Sequence, residues 1–281
     1  MSQFCAGIVT YQPDIARLKE NITSVERQVE RVYIVDNHSS NLADIRKVCS
    51  YFEKIVLIEN NHNEGVAKAQ NQLCTLADDD DFLWILTLDQ DTVIPDGMIE
   101  TYSPYTEDPQ NGILCPAVHY EGWGEQPDGQ IDTQYVYACM ASGSLTKLEA
   151  WKQVGGFRED YFIDFVDNEF CMKLSLNQYK ILRINMCKIN HQLGDSGIKN
   201  LLGIKIRYSK HSPLRLYYMA RNNYAFIKEY QKYLPVFKEK VKLYYILAHS
   251  ILFSDTKKET MKYIRIGIRD AKKGINGEFK E

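Results

Sequence analysis

The 281-residue chain predicts an α/β protein built on a doubly wound sheet with helices on both faces. Two observations lead to this fold class. In the first 95 residues, short apolar runs alternate with stretches of helical periodicity, the pattern of strand–helix–strand units. In addition, clusters of polar residues come directly after these apolar runs. Because ligands bind at the carboxyl ends of the strands in open α/β sheets, these clusters indicate a binding edge.

The first part of the chain contains four expected strands, at residues 4–10, 32–35, 54–59 and 82–88. Helices are expected over residues 15–29 and 42–52 and from Val66 onward. The first of these helices repeats apolar residues at steps of three and four, which is the spacing of one buried face. Strands joined by helices form parallel sheets with right-handed crossovers, so the polar strand ends should line one edge.

The regular alternation ends after residue 95. Further strands are expected at residues 112–120, 134–145, 180–184 and 187–191, and a polar, partly basic loop at residues 192–212. Helices are expected from Thr146, near Phe170, and over residues 214–230, 233–253 and 260–273. The prediction is therefore a Rossmann-like mixed sheet flanked by helices, with a C-terminal helical extension.

Asp89, Gln90 and Asp91 end the fourth apolar run. Two carboxylates separated by one residue repel each other unless a cation lies nearby. Their oxygens suit Mg²⁺ or Mn²⁺, which take their remaining ligands from water and substrate phosphates. The alternative is a solvated Asp-rich turn.

Asp36 follows the second apolar run in the same way. Its carboxylate can accept hydrogen bonds from a nucleobase N–H or a ribose hydroxyl, or it can be an N-cap or Asx-turn residue. Neither GxxxxGK[ST] nor GxGxxG occurs in the chain. A nucleotide would therefore be held without a glycine-rich phosphate cradle, which makes the metal more important.

A general base for a hydroxyl acceptor is expected among the carboxylates of residues 161–171. Asp167 is the first candidate, with Asp164 and Glu169 as competitors. Clustered carboxylates in an aromatic context raise at least one pKa, which suits a base. Each of them could instead cap a helix or form a salt bridge.

His191 and Arg221 are candidates for contacts to the metal or the phosphates. His191 follows an expected strand and could complete the metal coordination, although a lone histidine is more often structural. Arg221 lies on a Tyr-rich helix and could bind a diphosphate bidentately, or form an ordinary salt bridge.

Composition and charge restrict the cellular compartment and the kind of partner that the sequence allows. Seven scattered cysteines without a CxxC pair predict reduced thiols, and no signal peptide or membrane-spanning run is expected. Residues 1–198 carry a net charge of −15 and residues 199–281 a net charge of +12. The basic end could face a phospholipid surface or nucleic acid, or lie solvated beside a dimer interface. We expect a cytoplasmic protein.

An ordered set of motifs resembles family 2 glycosyltransferases of the GT-A fold, in particular their bacterial rhamnosyltransferase-like branch. The motifs are VTYQP, VDNHSSN, NNHNEGVAKAQN, LTLDQDT, ASGSL, GGF, FVDNEFCMKL, INHQLGDSG and YYMARNNY, within residues 4–230. The resemblance implies a glycosyltransferase domain at residues 1–232, with a nucleotide-sugar-binding part at 1–95 and an acceptor-binding part at 96–232. Residues 233–281 form a basic extension that the resemblance does not cover.

The resemblance also implies roles for individual residues. It would place Thr10, Tyr11, Asp36 and Asn37 at the nucleoside, Gly65 and Asn71 at the ribose and diphosphate, and Gly143 and Ser144 near the acceptor. It would have Asp89 and Asp91 serve the metal, His191 and Arg221 face the diphosphate, and Asp167 act as the catalytic base. Many members have Glu before that Asp; here the residue is Val166, so Asp164 stays an alternative base.

By this resemblance the reaction is an inverting, metal-dependent transfer from a nucleotide sugar. The preferred donor is dTDP-rhamnose, and the acceptor is a lipid-linked precursor of a cell-surface polysaccharide such as capsule or cell wall. The basic end would then rest on the anionic inner face of the cell membrane. One alternative is the same reaction with a UDP-sugar donor. A second is a nucleotidyltransferase, which is disfavoured because no basic triphosphate loop follows the first strand. A third is a non-catalytic nucleotide- or polyanion-binding protein. The acidic first part of the chain argues against nucleic acid as the main partner.

Overall fold

The computed structural model describes residues 3–120, 131–191, 196–201 and 204–280. The chain forms two compact units. The first contains residues Met1–Glu159 and Asp167–His191, and the second contains Asp160–Val166 and Gln192–Glu281. The expected division after residue 232 differs from this grouping, because the helix that precedes residue 232 packs within the second unit.

The first unit is organised around an eight-stranded mixed sheet with the strand order β3-β2-β1-β4-β7-β5-β8-β6. Its strands are β1 (Phe4–Thr10), β2 (Val32–Asp36), β3 (Ile55–Glu59), β4 (Trp84–Asp89), β5 (Asn111–Tyr120), β6 (Thr133–Tyr135), β7 (Ser144–Lys147) and β8 (Lys180–His191). The helices beside it are α1 (Ile15–Glu26), α2 (Leu42–Cys49), α3 (Val66–Asp79), α4 (Met98–Tyr102), α5 (Leu148–Gln153) and α6 (Val166–Leu176). The predicted α/β fold class is confirmed.

The first four strands are parallel, as their apolar runs predicted. All five residues of β2 are buried, and the buried residues Leu18, Ile22 and Val25 of α1 pack into the same core. The register pairs Thr10 with Asp36, and Val9 with Asp89. The polar ends of β1, β2 and β4 therefore lie side by side at one edge of the sheet.

Two predictions for the second part of the sheet were wrong. Residues 134–145 were expected to form one strand, but the structure has β6 and β7 with an irregular segment between them. Gly143 lies in that segment with φ +81°, a left-handed conformation that a regular strand does not use. Conversely, the two strands expected at residues 180–184 and 187–191 form the single strand β8, which changes register against β5 between Pro116 and Ala117.

The second unit contains a hairpin and three helices. Its elements are β9 (Ser196–Leu201), β10 (Ile204–Ser209), α7 (Pro213–Glu229), α8 (Val236–Phe253) and α9 (Lys257–Lys273). A loop was expected over residues 192–212; within the described part of that range, β9 and β10 pair antiparallel, and residues 192–195 and 202–203 lie outside the described residues. Gly267 allows α9 to approach α7 closely, because a Cβ there would lie 2.5 Å from the carbonyl oxygen of Tyr217. Among the helices of the described ranges, none has the length and apolar character to cross a bilayer.

Arg221 lies in the interior of the second unit and is 0% exposed. All five of its N–H donors are used: Nε donates to Asn222, and the two terminal nitrogens donate to the Tyr217 hydroxyl and to three backbone carbonyls. Those carbonyls belong to Asp160, Tyr161 and Gly277. The expected diphosphate contact of Arg221 stays a prediction; in the present structure the side chain ties α7 to residues 160–161 and to Gly277 of its own unit.

This arrangement predicts that Arg221→Lys destabilises the protein. An ammonium group has three donors where the guanidinium has five, so at least two buried acceptors lose their partners. At about 1–3 kcal/mol for each unsatisfied group, we expect a loss of roughly 2–5 kcal/mol and a fall in the thermal midpoint of roughly 5–15 °C. Thermal unfolding followed by circular dichroism measures this shift.

The matched control is Arg215→Lys on the same helix, where the side chain is 50% exposed and its ion pair with Asp164 is partly screened. We expect a change below about 1 kcal/mol for the control. An Arg221→Lys protein with an unchanged thermal midpoint but weakened donor binding would contradict the structural role.

Candidate active site

The carboxyl ends of β1, β2 and β4 bring Thr10, Asp36 and Asp89 together, as the strand pattern predicted. The hydroxyl of Thr10 donates to Asp36 Oδ1 at 2.9 Å. Tyr11 follows at the same edge with 49% of its surface exposed, and its backbone N–H donates to the side-chain oxygen of Gln90 at 2.8 Å. The end of β1 is therefore linked both to Asp36 and to the Asp89–Asp91 turn.

The carboxylate of Asp36 is fully buried and already bonded. Besides Thr10, it accepts hydrogen bonds from the Ser39 hydroxyl at 2.6 Å and from the Ser39 N–H at 2.8 Å. The bond from the Ser39 N–H, three residues later, is a local capping contact of the kind the sequence also allowed. A donor contact of Asp36 remains a prediction, and it would require the buried carboxylate to become accessible.

The Asp89–Asp91 turn is held through its backbone. Asn21 of α1 donates to the carbonyl of Asp89 at 2.6 Å, and Arg17 of the same helix donates to the carbonyl of Asp91 at 2.7 Å. The residue Asp91 is exposed, and Asp89 is partly exposed. Because α1 binds the carbonyls, the turn is fixed without using the exposed carboxylate of Asp91.

The chemistry of this turn fits a divalent cation. Mg²⁺ binds through one or two carboxylates and completes its octahedron with water and substrate phosphates. The described residues contain no cluster of three or more His, Cys, Asp or Glu side chains. Asp89 and Asp91 would thus hold the metal with ligands from a diphosphate. The side chain of His191, the third expected ligand, lies outside the described side chains.

Residues 139–144 lead into β7 and include its first residue; we call them the bridge segment. They connect the Asp89–Asp91 turn, called the metal turn below, to the expected base. The Ser142 hydroxyl accepts from the Asp89 N–H at 2.9 Å and lies 2.7 Å from the Thr92 hydroxyl. One residue earlier, the Ala141 N–H donates to Asp167 Oδ2 at 3.1 Å. Two adjacent residues therefore contact Asp89 and Asp167.

Further hydrogen bonds make the bridge segment rigid. The Thr87 hydroxyl donates to the Ala141 carbonyl at 2.7 Å, and the Gly143 N–H donates to the Thr87 carbonyl at 2.8 Å. On the other side, the buried Tyr102 hydroxyl donates to the Gly143 carbonyl at 3.1 Å. The segment is thus fixed to β4, the strand that ends in Asp89.

Gly143 and Ser144, expected near the acceptor, are both buried. A Cβ at position 143 would lie 3.0 Å from Pro116 and Ile189, so Gly143 is required by packing. The Ser144 hydroxyl donates to the Met140 carbonyl at 2.6 Å. Both residues shape the bridge segment, and their place near the acceptor stays a prediction.

The two competitors of Asp167 have other surroundings. Glu169 is 2% exposed, and its carboxylate lies 3.4 Å from the ammonium group of Lys173, one helical turn later, in a buried ion pair; its catalytic role stays a prediction. Asp164 belongs to the second unit, where its Oδ1 accepts from Arg215 at 3.3 Å. Burial raises the pKa of Asp164, and the nearby Arg215 opposes this shift. Asp167 lies in the first turn of α6.

Gly65 and Asn37 are engaged with each other near the start of α3. The Asn37 amide donates to the Gly65 carbonyl at 3.1 Å and is 2% exposed. Gly65 has φ +83° at the N-cap of α3, a backbone conformation that other residues rarely adopt. Their contacts to a donor remain a prediction. The hydrogen bond from Asn37 and the positive φ of Gly65 already give a structural reason for these two residue types.

Asn71, expected at the ribose and diphosphate, has all its side-chain hydrogen-bonding positions occupied by protein groups, and its donor contact stays a prediction. Its amide nitrogen donates to the Phe157 carbonyl and to Glu159, both at 2.9 Å. Its oxygen accepts from the Trp151 indole at 3.0 Å and from the Phe157 N–H at 2.8 Å. All four positions of the amide are occupied. Asn71 instead anchors the turn after α5.

Sequence reasoning missed three positioning residues, which are Ser142, Gln90 and Asn21. Ser142 was part of the ASGS motif, but attention went to its neighbours Gly143 and Ser144. Asn21 had a detectable signal, since it is a polar residue on the buried face of α1, and such residues need a partner. Gln90 lay inside the acidic motif and was passed over because it carries no charge.

Comparisons with known proteins agree with this geometry. Residues 5–172 match the family described as glycosyl transferase family 2. The dTDP-rhamnosyl transferase RfbF of Shigella flexneri is 30% identical over 298 aligned positions, which cover 98% of this chain and 96% of that protein.

Solved structures share the fold at lower identity. S. aureus TarS 1–349 in complex with UDP-GlcNAc has a TM-score of 0.60 at 15% identity, covering 97% of this chain and 81% of that one. GalNAc-T7 with UDP, GalNAc and Mn²⁺ has a TM-score of 0.59 at 13% identity, covering 98% and 56%. The sheet, the acidic turn at the end of β4 and the match over residues 5–172 show that the chain is a GT-A fold glycosyltransferase belonging to glycosyl transferase family 2.

Proposed function

We propose that this protein transfers rhamnose from dTDP-rhamnose to a hydroxyl group of a lipid-linked polysaccharide precursor, in an inverting, metal-dependent reaction. The observation that carries the proposal is the bridge segment, which bonds the metal turn through Ser142 and the base candidate through Ala141. Transfer from a nucleotide sugar needs a stabilised diphosphate leaving group and a base for the acceptor. The bridge segment supports these two functions at one edge of the sheet.

In the proposed reaction Asp89 and Asp91 would hold Mn²⁺ or Mg²⁺. When bound, the cation would supply positive charge that stabilises the nucleoside diphosphate leaving group, which departs as the bond between its oxygen and the anomeric carbon breaks. Asp167 accepts the proton of the acceptor hydroxyl while that oxygen attacks the anomeric carbon. Thr10 and Tyr11 lie at the end of β1, where the nucleoside would contact the sheet edge.

Rhamnose is proposed as the transferred sugar because the 30% identical relative is named a dTDP-rhamnosyl transferase. The acceptor follows from the basic charge of the C-terminal part, since a lipid-linked acceptor calls for an enzyme at the cytoplasmic membrane surface. A UDP-sugar donor is the alternative within the same fold and mechanism.

The test is donor turnover without an added acceptor, in which water takes the place of the acceptor hydroxyl. Purified protein is incubated with dTDP-rhamnose, UDP-galactose, UDP-glucose or UDP-N-acetylglucosamine, with Mn²⁺ or with EDTA. We expect dTDP release from dTDP-rhamnose only when Mn²⁺ is present. For Asp167→Asn we expect kcat to fall by roughly 10²–10⁴, the usual contribution of a general base, with little change in KM.

Two variants serve as controls. Asp96→Asn changes an exposed carboxylate beyond the acidic turn and should behave as wild type. Asp164→Asn should retain most of the kcat; a larger loss there than in Asp167→Asn would assign the base to Asp164. Preference for a UDP-sugar would refute the rhamnose assignment, and turnover that is indifferent to EDTA would refute metal dependence.

The bridge segment generates a second prediction. Ser142→Ala removes the partner of the Asp89 N–H, so the metal turn loses its fixed position. Loss of groups that orient metal ligands typically lowers metal affinity or activity by about 10–100-fold. We expect the Mn²⁺ concentration needed for half-maximal turnover to rise within that range.

Ser144→Ala is the matched control, since that buried hydroxyl bonds only inside the segment, to Met140 and Cys139. It should lower the thermal midpoint while leaving the Mn²⁺ requirement unchanged. Equal shifts of the Mn²⁺ requirement in both variants would mean that Ser142 acts through packing alone.

A further inference from the structure

Helix α8 carries an apolar stripe on its exposed side. The stripe consists of Phe237, Val241, Tyr244, Tyr245, Ala248 and Leu252, spaced by three and four residues along the helix. Phe237 is 83% exposed and Tyr245 is 69% exposed. Single exposed apolar residues are ordinary, but a contiguous stripe of this length marks an interaction surface.

The stripe continues into a groove between α8 and α9. Tyr244 and Ala248 belong to both, and Ile251, Ile264 and Ile268 add to its apolar lining. The groove has a volume of about 740 Å³. A groove of this volume with an apolar lining suits hydrocarbon chains better than water.

The rim of the groove is basic. Arg265, Arg269, Lys272 and Lys273 line it from the last turns of α9. Arg269 is paired with the neighbouring Asp270, whereas neither Arg265 nor Lys273 has a carboxylate partner among the side chains that the structure describes. The whole helix carries seven Lys or Arg residues against two acidic ones. This surface therefore combines an apolar floor with uncompensated positive charge.

We propose that this α8–α9 surface docks the protein on a bilayer that contains anionic phospholipids. The apolar stripe would enter the boundary between headgroups and acyl chains, and the rim of α9 would contact phosphate groups. The inference deepens the proposed function, because it names the surface that brings the enzyme to a lipid-linked acceptor.

Charge complementarity favours a membrane over the other partners. In a two-fold dimer the same patch would face itself, so the basic rims of both copies would lie close together and repel. A nucleic acid would match the charge but leave the apolar stripe in water, and the chain from residue 1 to 198 carries a net charge of −15 that repels a polyanion. An anionic lipid surface offers acyl chains to the apolar stripe and phosphate groups to the basic rim.

The test is co-sedimentation of the full chain with sucrose-loaded vesicles of phosphatidylcholine, with and without 30% phosphatidylglycerol. We expect binding to the anionic vesicles that weakens with salt. Arg265→Glu/Lys273→Glu should reduce the partition coefficient by roughly 30-fold or more, since each basic residue near an anionic surface contributes about fivefold and the two are replaced by acidic residues. Phe237→Ser/Tyr245→Ser should also reduce it, including at high salt.

Matched controls change the same residue types on the first unit. Lys19→Glu/Lys47→Glu and Tyr51→Ser/Tyr137→Ser alter exposed side chains there and should bind vesicles as wild type does. Circular dichroism and donor turnover verify that each variant is folded. If the controls weaken vesicle binding as much as the α8–α9 variants, the assignment to this surface is wrong.

The remaining outcomes also decide the inference. Absence of vesicle binding with normal turnover of dTDP-rhamnose overturns the docking surface and leaves the proposed function intact. A dimer in light scattering that Phe237→Ser/Tyr245→Ser dissociates, without vesicle binding, assigns the patch to a second copy. Binding to duplex DNA but not to vesicles overturns it in favour of nucleic acid.

Discussion

The candidate active site depends on hydrogen bonds made by the bridge segment, the six residues that lead into β7 and include its first residue. The Ser142 hydroxyl accepts from the backbone N–H of Asp89, and the Ala141 N–H donates to the side chain of Asp167. Asp89 and Asp167 are 78 positions apart in sequence, and the bridge segment holds them through two adjacent residues. Thr87 then fastens the segment to β4 itself. The relative position of metal turn and base is therefore set by hydrogen bonds that each join a backbone N–H to a short side chain, and such chains are held more precisely than long flexible ones.

Much of the fold was predictable because the first part of the chain uses local rules. Apolar runs and helical periodicity place β1, β2, β3 and β4, and parallel strands necessarily bring their carboxyl ends to one edge. Thr10, Asp36 and Asp89 were therefore expected together, and the register brings them together. The motifs around them identified the family before any three-dimensional contact was known.

The remainder was not predictable, since it depends on contacts between distant residues. The apolar character of residues 134–145 suggests a strand, but Gly143 and the side-chain bonds of Thr87 and Tyr102 hold an irregular backbone there. Asn71 and Arg221 were expected to contact the ribose or the diphosphate because both are polar residues inside the motifs. Their partners, Phe157 for one and Tyr161 for the other, lie 86 and 60 positions away and saturate their hydrogen-bonding groups.

The proposed reaction requires that the turn at the end of β4 binds a nucleoside diphosphate together with a metal. Calorimetric titration of dTDP into the protein, with Mn²⁺ or with EDTA, measures this without knowledge of the acceptor. We predict at least about tenfold tighter binding with Mn²⁺ for wild type and Asp96→Asn, and no such gain for Asp91→Asn, whose side chain lacks the charge a hard cation requires. A dTDP affinity that does not respond to Mn²⁺, or an Asp91→Asn protein with the full gain, would contradict it.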